Sequence, residues 1–242
     1  MRTIFAYGHA ALFLLLIIPN MFWLRRKPSE QAYNEANRLT KKLSDRTLRI
    51  ANTDVTVYGQ HNVKESESYL YVSNHQGNFD IPLLLSHVNI HLSFIAKKSL
   101  QNVPLFGTWM TYKQCIFLDQ EKPREAIRKL KEAGEMVQAG KSVCIFPEGH
   151  RSKGNFLGEF SNSAARISKK IGIPVLPITI DGSYKILEEN NGQIKPARVN
   201  IHVHPPLNPK QYGTTAEFNE VIENTIAAPL RLEKEKNGNH QH

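Results

Sequence analysis

Apolar and polar positions follow two different periods along this chain. Ala36, Leu39, Leu43 and Ile50 recur at helical spacing among Asn, Arg, Lys and Glu, which predicts an amphipathic helix over residues 29–50. From about Thr53 onward, short β-rich runs alternate with helical stretches. Strands are predicted at 55–58, 69–73, 92–96, 114–118, 142–146, 175–180 and 199–203. Helices are predicted at 124–139 and 163–171, with a shorter one at 81–86. Several of the strands are apolar throughout, as needed when both faces of a sheet are covered. The alternation implies one α/β domain with a mixed, largely parallel sheet flanked by helices. In such sheets, functional residues gather in the loops at strand ends. The tail, residues 233–242, is polar and is expected to fray.

Ahead of the amphipathic helix lies a stretch, residues 3–24, with no Asp, Glu, Lys or Arg. It is just long enough to cross a bilayer, which takes roughly 20 apolar residues, but His9, Pro19 and Asn20 interrupt it. Arg25-Arg26-Lys27 follows where a signal peptide would carry a small-residue cleavage site, and a basic cluster there favours the cytoplasmic side. Residues 1–50 are therefore expected to form an N-terminal membrane-associated helical pair: a span or a hairpin in one leaflet, then a helix in the membrane interface or packed on the domain. Residues 51–242 form the domain proper.

Charge adds one constraint. The 242 residues carry a formal net charge of +9, which favours an anionic partner: nucleic acid, an acidic membrane face or a phosphorylated substrate. The two cysteines, Cys115 and Cys144, sit in apolar runs and read as small buried hydrophobes. No Cys/His spacing suggests a zinc site.

Candidate chemistry follows two of the strands. Asn74-His75-Gln76-Gly77-Asn78-Phe79-Asp80 follows the second. His75 and Asp80, five positions apart, do not share a helix face, but they meet if the chain turns at Gly77 and a helix starts near Asp80. Asp80 would then fix the imidazole tautomer, leaving the other nitrogen to take a proton from a hydroxyl. The competing reading is a helix cap and an ordinary loop histidine. Phe146-Pro147-Glu148-Gly149-His150-Arg151 follows the fifth strand and favours a turn. Arg151 there suits a phosphate or a carboxylate, or simply pairs with Glu148. Lys97 and Lys98, ending the third strand, suit a phosphate or a solvated loop. The run Ile173-Pro174-Val175-Leu176-Pro177-Ile178 reads as a core or edge strand.

The order of these stretches carries more than any one of them. Asn-His-Gln-x3-Asp, Lys-x2-Leu-x3-Pro-x2-Gly, Phe-Pro-Glu-Gly and a Val-x-Pro-Ile strand, over residues 55–203, resemble the glycerolipid acyltransferases. Within that family the chain looks like the bacterial 1-acyl-glycerol-3-phosphate acyltransferases. The resemblance implies that His75 is a general base oriented by Asp80. It would activate the sn-2 hydroxyl of a lysophospholipid for direct attack on acyl-CoA or acyl-carrier protein. It implies acceptor contacts at Lys97, Lys98, Gly107, Glu148, Gly149 and Arg151, no metal and no other cofactor, and work at the cytoplasmic face of the cell membrane.

This sequence departs from the family pattern in three places. Leu118-Asp119-Gln120 has a neutral residue where an arginine is usual, His150 replaces a Thr, and Phe160-Ser161-Asn162-Ser163 replaces a Phe-Lys-x-Gly. Lys98, Lys122, Arg124, Arg151 or Lys153 would then have to supply the charge, or the acceptor is another lysophospholipid or a lyso-aminolipid. Two other classes compete. A nucleic-acid-binding protein would need its basic residues clustered, and here they are spread along the chain. A basic lipid-binding protein without catalysis is the other.

Overall fold

The structure is a computed structural model; it describes residues 3–5, 8 and 18–238, with side chains described as far as 231. Seven strands form one sheet: β1 (Asp54–Tyr58), β2 (Leu70–Ser73), β3 (Leu92–Lys97), β4 (Ile116–Leu118), β5 (Ser142–Ile145), β6 (Val175–Asp181) and β7 (Arg198–Val203). Their order is β1-β7-β6-β2-β5-β3-β4. Every pairing is parallel except β6 with β7, so β1 and β7 run against the other five.

All seven predicted strands are present, with ends shifted by a residue or two. The largest shift is at β4, where Gln114 takes a φ of 53° and closes a tight turn before the strand. Cys144 is buried in β5, Cys115 is half-buried just ahead of β4, and both thiols are free.

Among the described residues six helices of defined bounds flank the sheet: α1 (Ser29–Ala51), α2 (Asp80–His87), α3 (Phe106–Tyr112), α4 (Pro123–Gln138), α5 (Ser163–Ile171) and α6 (Thr215–Gly238). The strands divide their side chains by period two. Tyr71, Cys144, Leu176, Ile178 and Ile180 pack with Leu48 of α1 and Leu83 and Leu84 of α2 on one face. Leu70, Val72, Val143, Ile145 and Val175 pack with Ala133, Val137, Ile167, Phe218, Ile222 and Ile226 of α4, α5 and α6 on the other. The central strands β2, β5 and β6 are buried along their whole length, which is why their sequences read as continuous apolar runs.

Two helices were not among the sequence expectations. α3 is short and grows from the Pro-Leu-Phe-Gly run, where proline and glycine hide the helical signal. α6 is long, and it reaches Gly238, so the polar tail expected to fray is helical up to that residue. Phe218, Ile222 and Ile226 lie four apart along it and are completely buried, a signal the sequence does carry.

α1 matches its prediction and lays Ala32, Tyr33, Ala36, Leu48 and Ala51 on the domain. Its N-terminal half joins Leu24 and Trp109 in a small cluster of its own. Of the charge-free stretch before it, residues 6, 7 and 9–17 lie outside the described residues, so the first helix of the expected pair is seen only at 3–5, 8 and 18–24, all of them helical. Among the described residues no helix is long and apolar enough to cross a membrane.

Candidate active site

The chain leaves β2 at Ser73 and enters α2 at Asp80, so the six residues between them form a loop at the carboxyl end of a central strand. Asn74 anchors that loop. Its amide donates to the Ile180 carbonyl and its carbonyl accepts from the Ile180 N–H, both at 2.8 Å. The loop then turns, Asp80 starts the helix, and the two expected partners meet: His75 Nδ1 lies 2.6 Å from Asp80 Oδ2.

Asp80 is completely buried, and a buried carboxylate needs donors. It has three: the imidazole, the Gly77 N–H at 2.9 Å on the same oxygen, and the Ser183 hydroxyl on Oδ1. An ionised carboxylate only accepts, so His75 carries its proton on Nδ1. Nε2 is then the basic nitrogen, and it makes no hydrogen bond among the described residues. Phe146 stacks on the imidazole at 4.2 Å between ring centres and 18° between planes, which restricts the ring further.

Glu148 enters from the loop after β5, but as a structural tie. It is only 5% exposed. One oxygen accepts from the His75 backbone N–H and the other from the Gly158 N–H, each at 2.7 Å. Burial pushes its carboxyl above the ordinary carboxylate range, against the pull of those two backbone donors. The Ser152 and Lys153 N–H groups donate back to the His75 and Gln76 carbonyls at 2.8 and 3.1 Å. The loops after β2 and β5 are thereby stitched into one surface.

Arg151 sits on that surface, half-buried. It donates to the Asn78 side chain and lies 3.6 Å from Glu188. Gly149 has a φ of +67°, and a side chain there would meet the Gln120 amide at 2.8 Å. Gln120 therefore reaches the same rim, from the loop after β4.

The remaining expected residues divide. Lys97 is exposed at the end of β3. Lys98 is drawn away to carboxylates, 3.2 Å from Glu125 and 3.8 Å from Asp119. Lys122 also lies against Asp119, at 3.9 Å. Gly107 is a packing residue: it is buried, and a Cβ there would lie 2.0 Å from the Gln101 carbonyl oxygen. Among the described residues no group of His, Cys, Asp and Glu is arranged to hold a metal.

Two site residues were not expected from sequence, Ser183 and Glu188. Both lie in the segment after β6, more than 100 positions from Asp80 and Asn78, where no local pattern marks them. Gln76 is tied to the same segment, its side-chain Oε1 accepting from the Gly182 N–H at 2.9 Å.

The sequence pattern of the family described as Acyltransferase matches residues 54–181, the span holding His75, Asp80, Glu148 and Arg151. A chloroplastic 1-acyl-sn-glycerol-3-phosphate acyltransferase of Brassica napus is 35% identical over 179 residues, 73% of this chain and 51% of that protein. A probable 1-acyl-sn-glycerol-3-phosphate acyltransferase of Mycoplasma pneumoniae is 28% identical over 74% of this chain and 69% of its own length. The chain spans 51% and 43% of two chloroplastic relatives that it matches. Among solved structures, the 1-acyl-sn-glycerophosphate (LPA) acyltransferase of Thermotoga maritima superposes with a TM-score of 0.81. The two are 27% identical, and the match covers 96% of this chain and 95% of the other. The family pattern takes in more than half of the chain and the structural match nearly all of it, and the chain belongs to the acyltransferase family.

Proposed function

We propose that this protein transfers a fatty-acyl group from a thioester, acyl-CoA or acyl-carrier protein, to the sn-2 hydroxyl of 1-acyl-glycerol-3-phosphate, forming phosphatidic acid. The observation that carries the reading is the His75–Asp80 pair, with Nδ1 committed to a buried carboxylate and Nε2 left as the base. The names of the relatives support the acceptor.

The acceptor hydroxyl gives its proton to His75 Nε2 as its oxygen bonds to the thioester carbonyl carbon. The carbonyl oxygen takes the electron pair, and backbone N–H groups stabilise the oxyanion. Collapse re-forms the carbonyl and breaks the C–S bond, and the imidazolium returns its proton to the leaving thiolate. This is the base-and-orienter half of a catalytic triad, with the substrate's hydroxyl in the place of a serine. No metal or other cofactor enters the scheme. Arg151 binds the acceptor phosphate, supported by Lys97, which is exposed at the end of β3, the strand next to β5.

The work takes place on the cytoplasmic face of the membrane, with residues 1–50 as anchor and 51–242 as the catalytic domain. Exposed Phe22 and Trp23, followed by Arg25-Arg26-Lys27, support a lipid surface at that end. The direct test is thiol release from acyl-CoA by detergent-solubilised protein, with and without lysophosphatidic acid. Stimulated release with phosphatidic acid as product supports the reading. Release that ignores lysophosphatidic acid but responds to another lysolipid would move the acceptor assignment to that lipid.

A further inference from the structure

Glu188 lies in a short 3-10 turn after β6, outside every stretch that the sequence pattern singles out. Its side chain is 5% exposed, and a buried carboxylate is retained only where it has work that offsets its desolvation. Oε1 accepts the Asn78 backbone N–H at 2.8 Å and lies 3.6 Å from Arg151 Nη1. Asn78, through its side chain, accepts from the same Arg151 nitrogen. Oε2 is buried with no hydrogen-bond partner among the described residues. It rests against Gly77, where a Cβ would come within 2.5 Å of it. Gly77 in turn donates its N–H to Asp80.

Three loops, those after β2, β5 and β6, therefore converge on one carboxylate. We infer that Glu188 is a positioning residue, holding the Arg151 guanidinium and the His75-bearing loop in register so that phosphate and sn-2 hydroxyl are presented together; this rests on the function proposed above. The hydrogen bond to Asn78 does most of the holding. The contact with Arg151 is longer and reaches a side chain that is 37% exposed, where water screens charge. The neutral isostere keeps an oxygen for the Asn78 N–H, so geometry more than charge is at stake.

The test is a double-mutant cycle on the full chain, reading KM for acceptor and donor separately. Glu188→Ala is expected to raise acceptor KM about tenfold, on the order of what a misplaced positioning group costs, with donor KM unchanged. In an Arg151→Ala background the same change is expected to add less than about twofold, because the group it positions is gone. Glu188→Gln is expected to recover most of the loss, and it keeps the cycle readable if the alanine variant folds poorly. Additive losses in the double variant, an unaltered acceptor KM in Glu188→Ala, or a Gln variant as impaired as the Ala variant would each overturn the inference.

Calorimetry with sn-glycerol 3-phosphate reads the same coupling without turnover. A wild-type protein that binds this phosphate, loses it in Glu188→Ala, yet transfers no acyl group would sink the proposed reaction and leave the positioning role standing. A wild-type protein that binds no phosphate would overturn the positioning role itself.

Discussion

Glu148 holds His75 by the backbone, accepting its N–H at 2.7 Å, while Asp80 holds the same residue by the side chain at 2.6 Å. The His75 residue is thus fixed at two points by two buried carboxylates, one at the start of α2 and one from the loop after β5. Glu148, which the family resemblance assigns to the acceptor, holds the His75 backbone in this structure.

Glu148→Gln should therefore impair turnover more than acceptor binding. Its two oxygens each face an N–H donor, and an amide turns one of them into a donor facing a donor. A fall in kcat of about 10- to 100-fold is expected, as for a catalytic group displaced by a fraction of an ångström to an ångström, with acceptor KM changed less than about threefold. A rise confined to acceptor KM would return Glu148 to direct substrate contact.

Asp80→Asn should lower kcat by roughly 10²- to 10⁴-fold, the upper end being the loss when a triad-type orienter becomes an amide and the wrong tautomer is favoured. Ser183→Ala removes one of the three donors on Asp80 and should cost about three- to tenfold in kcat, on the scale of about 0.5–1.5 kcal/mol for a single typical hydrogen bond. Both are read as kcat at saturating acceptor. A Ser183→Ala enzyme with unaltered kcat would separate that hydroxyl from catalysis.

Gln120→Arg should lower acceptor KM. Gln120 reaches Gly149, two residues from Arg151, so a guanidinium there puts a second bidentate donor at the same rim. A several-fold decrease with lysophosphatidic acid, absent with a lysolipid lacking phosphate, is the expected outcome of steady-state kinetics. An unchanged KM would mean that the phosphate does not visit this edge of the site.

Lys113 gives a pH signature unrelated to catalysis. It is 3% exposed, and burial lowers its pKa from 10.5 to about 8. Its ammonium is held by the Asn37 side chain and the Ile90 carbonyl. Between about 8 and 10.5 the unfolded chain binds the proton that the folded one has released, so stability rises with pH across that window and is lost as pH falls through about 8. The full effect is about 3 kcal/mol at most, from 1.36 kcal/mol per pKa unit. Denaturant melts of wild type and Lys113→Met across pH 7–10.5 should differ in slope in this sense, and parallel curves would contradict it.

Much of the fold was legible in the sequence, for a physical reason. Strands buried on both faces, such as 142–145, are apolar throughout, and α1, α4 and α5 bury one stripe each, so both periods survive in the sequence. The His75–Asp80 pair was legible because its turn is local. α3 was hidden by Pro104 and Gly107, and the close approach of Gly107 to Gln101 is a packing fact that no motif records. Ser183 and Glu188 lay beyond reach because their partners come from the far side of the β2–β6 pairing. Nor does a basic residue announce its partner: Lys98 lies against Glu125 and Asp119.

The central claim is that His75 is the base, and the most direct measurement is thioester consumption by His75→Ala beside wild type, with acyl-CoA, lysophosphatidic acid and a donor-only control. A loss of about 10²- to 10⁴-fold in acceptor-dependent thiol release is expected, the usual contribution of a general base, with the thermal melt and membrane association unchanged. Near-normal turnover in that variant would contradict the account.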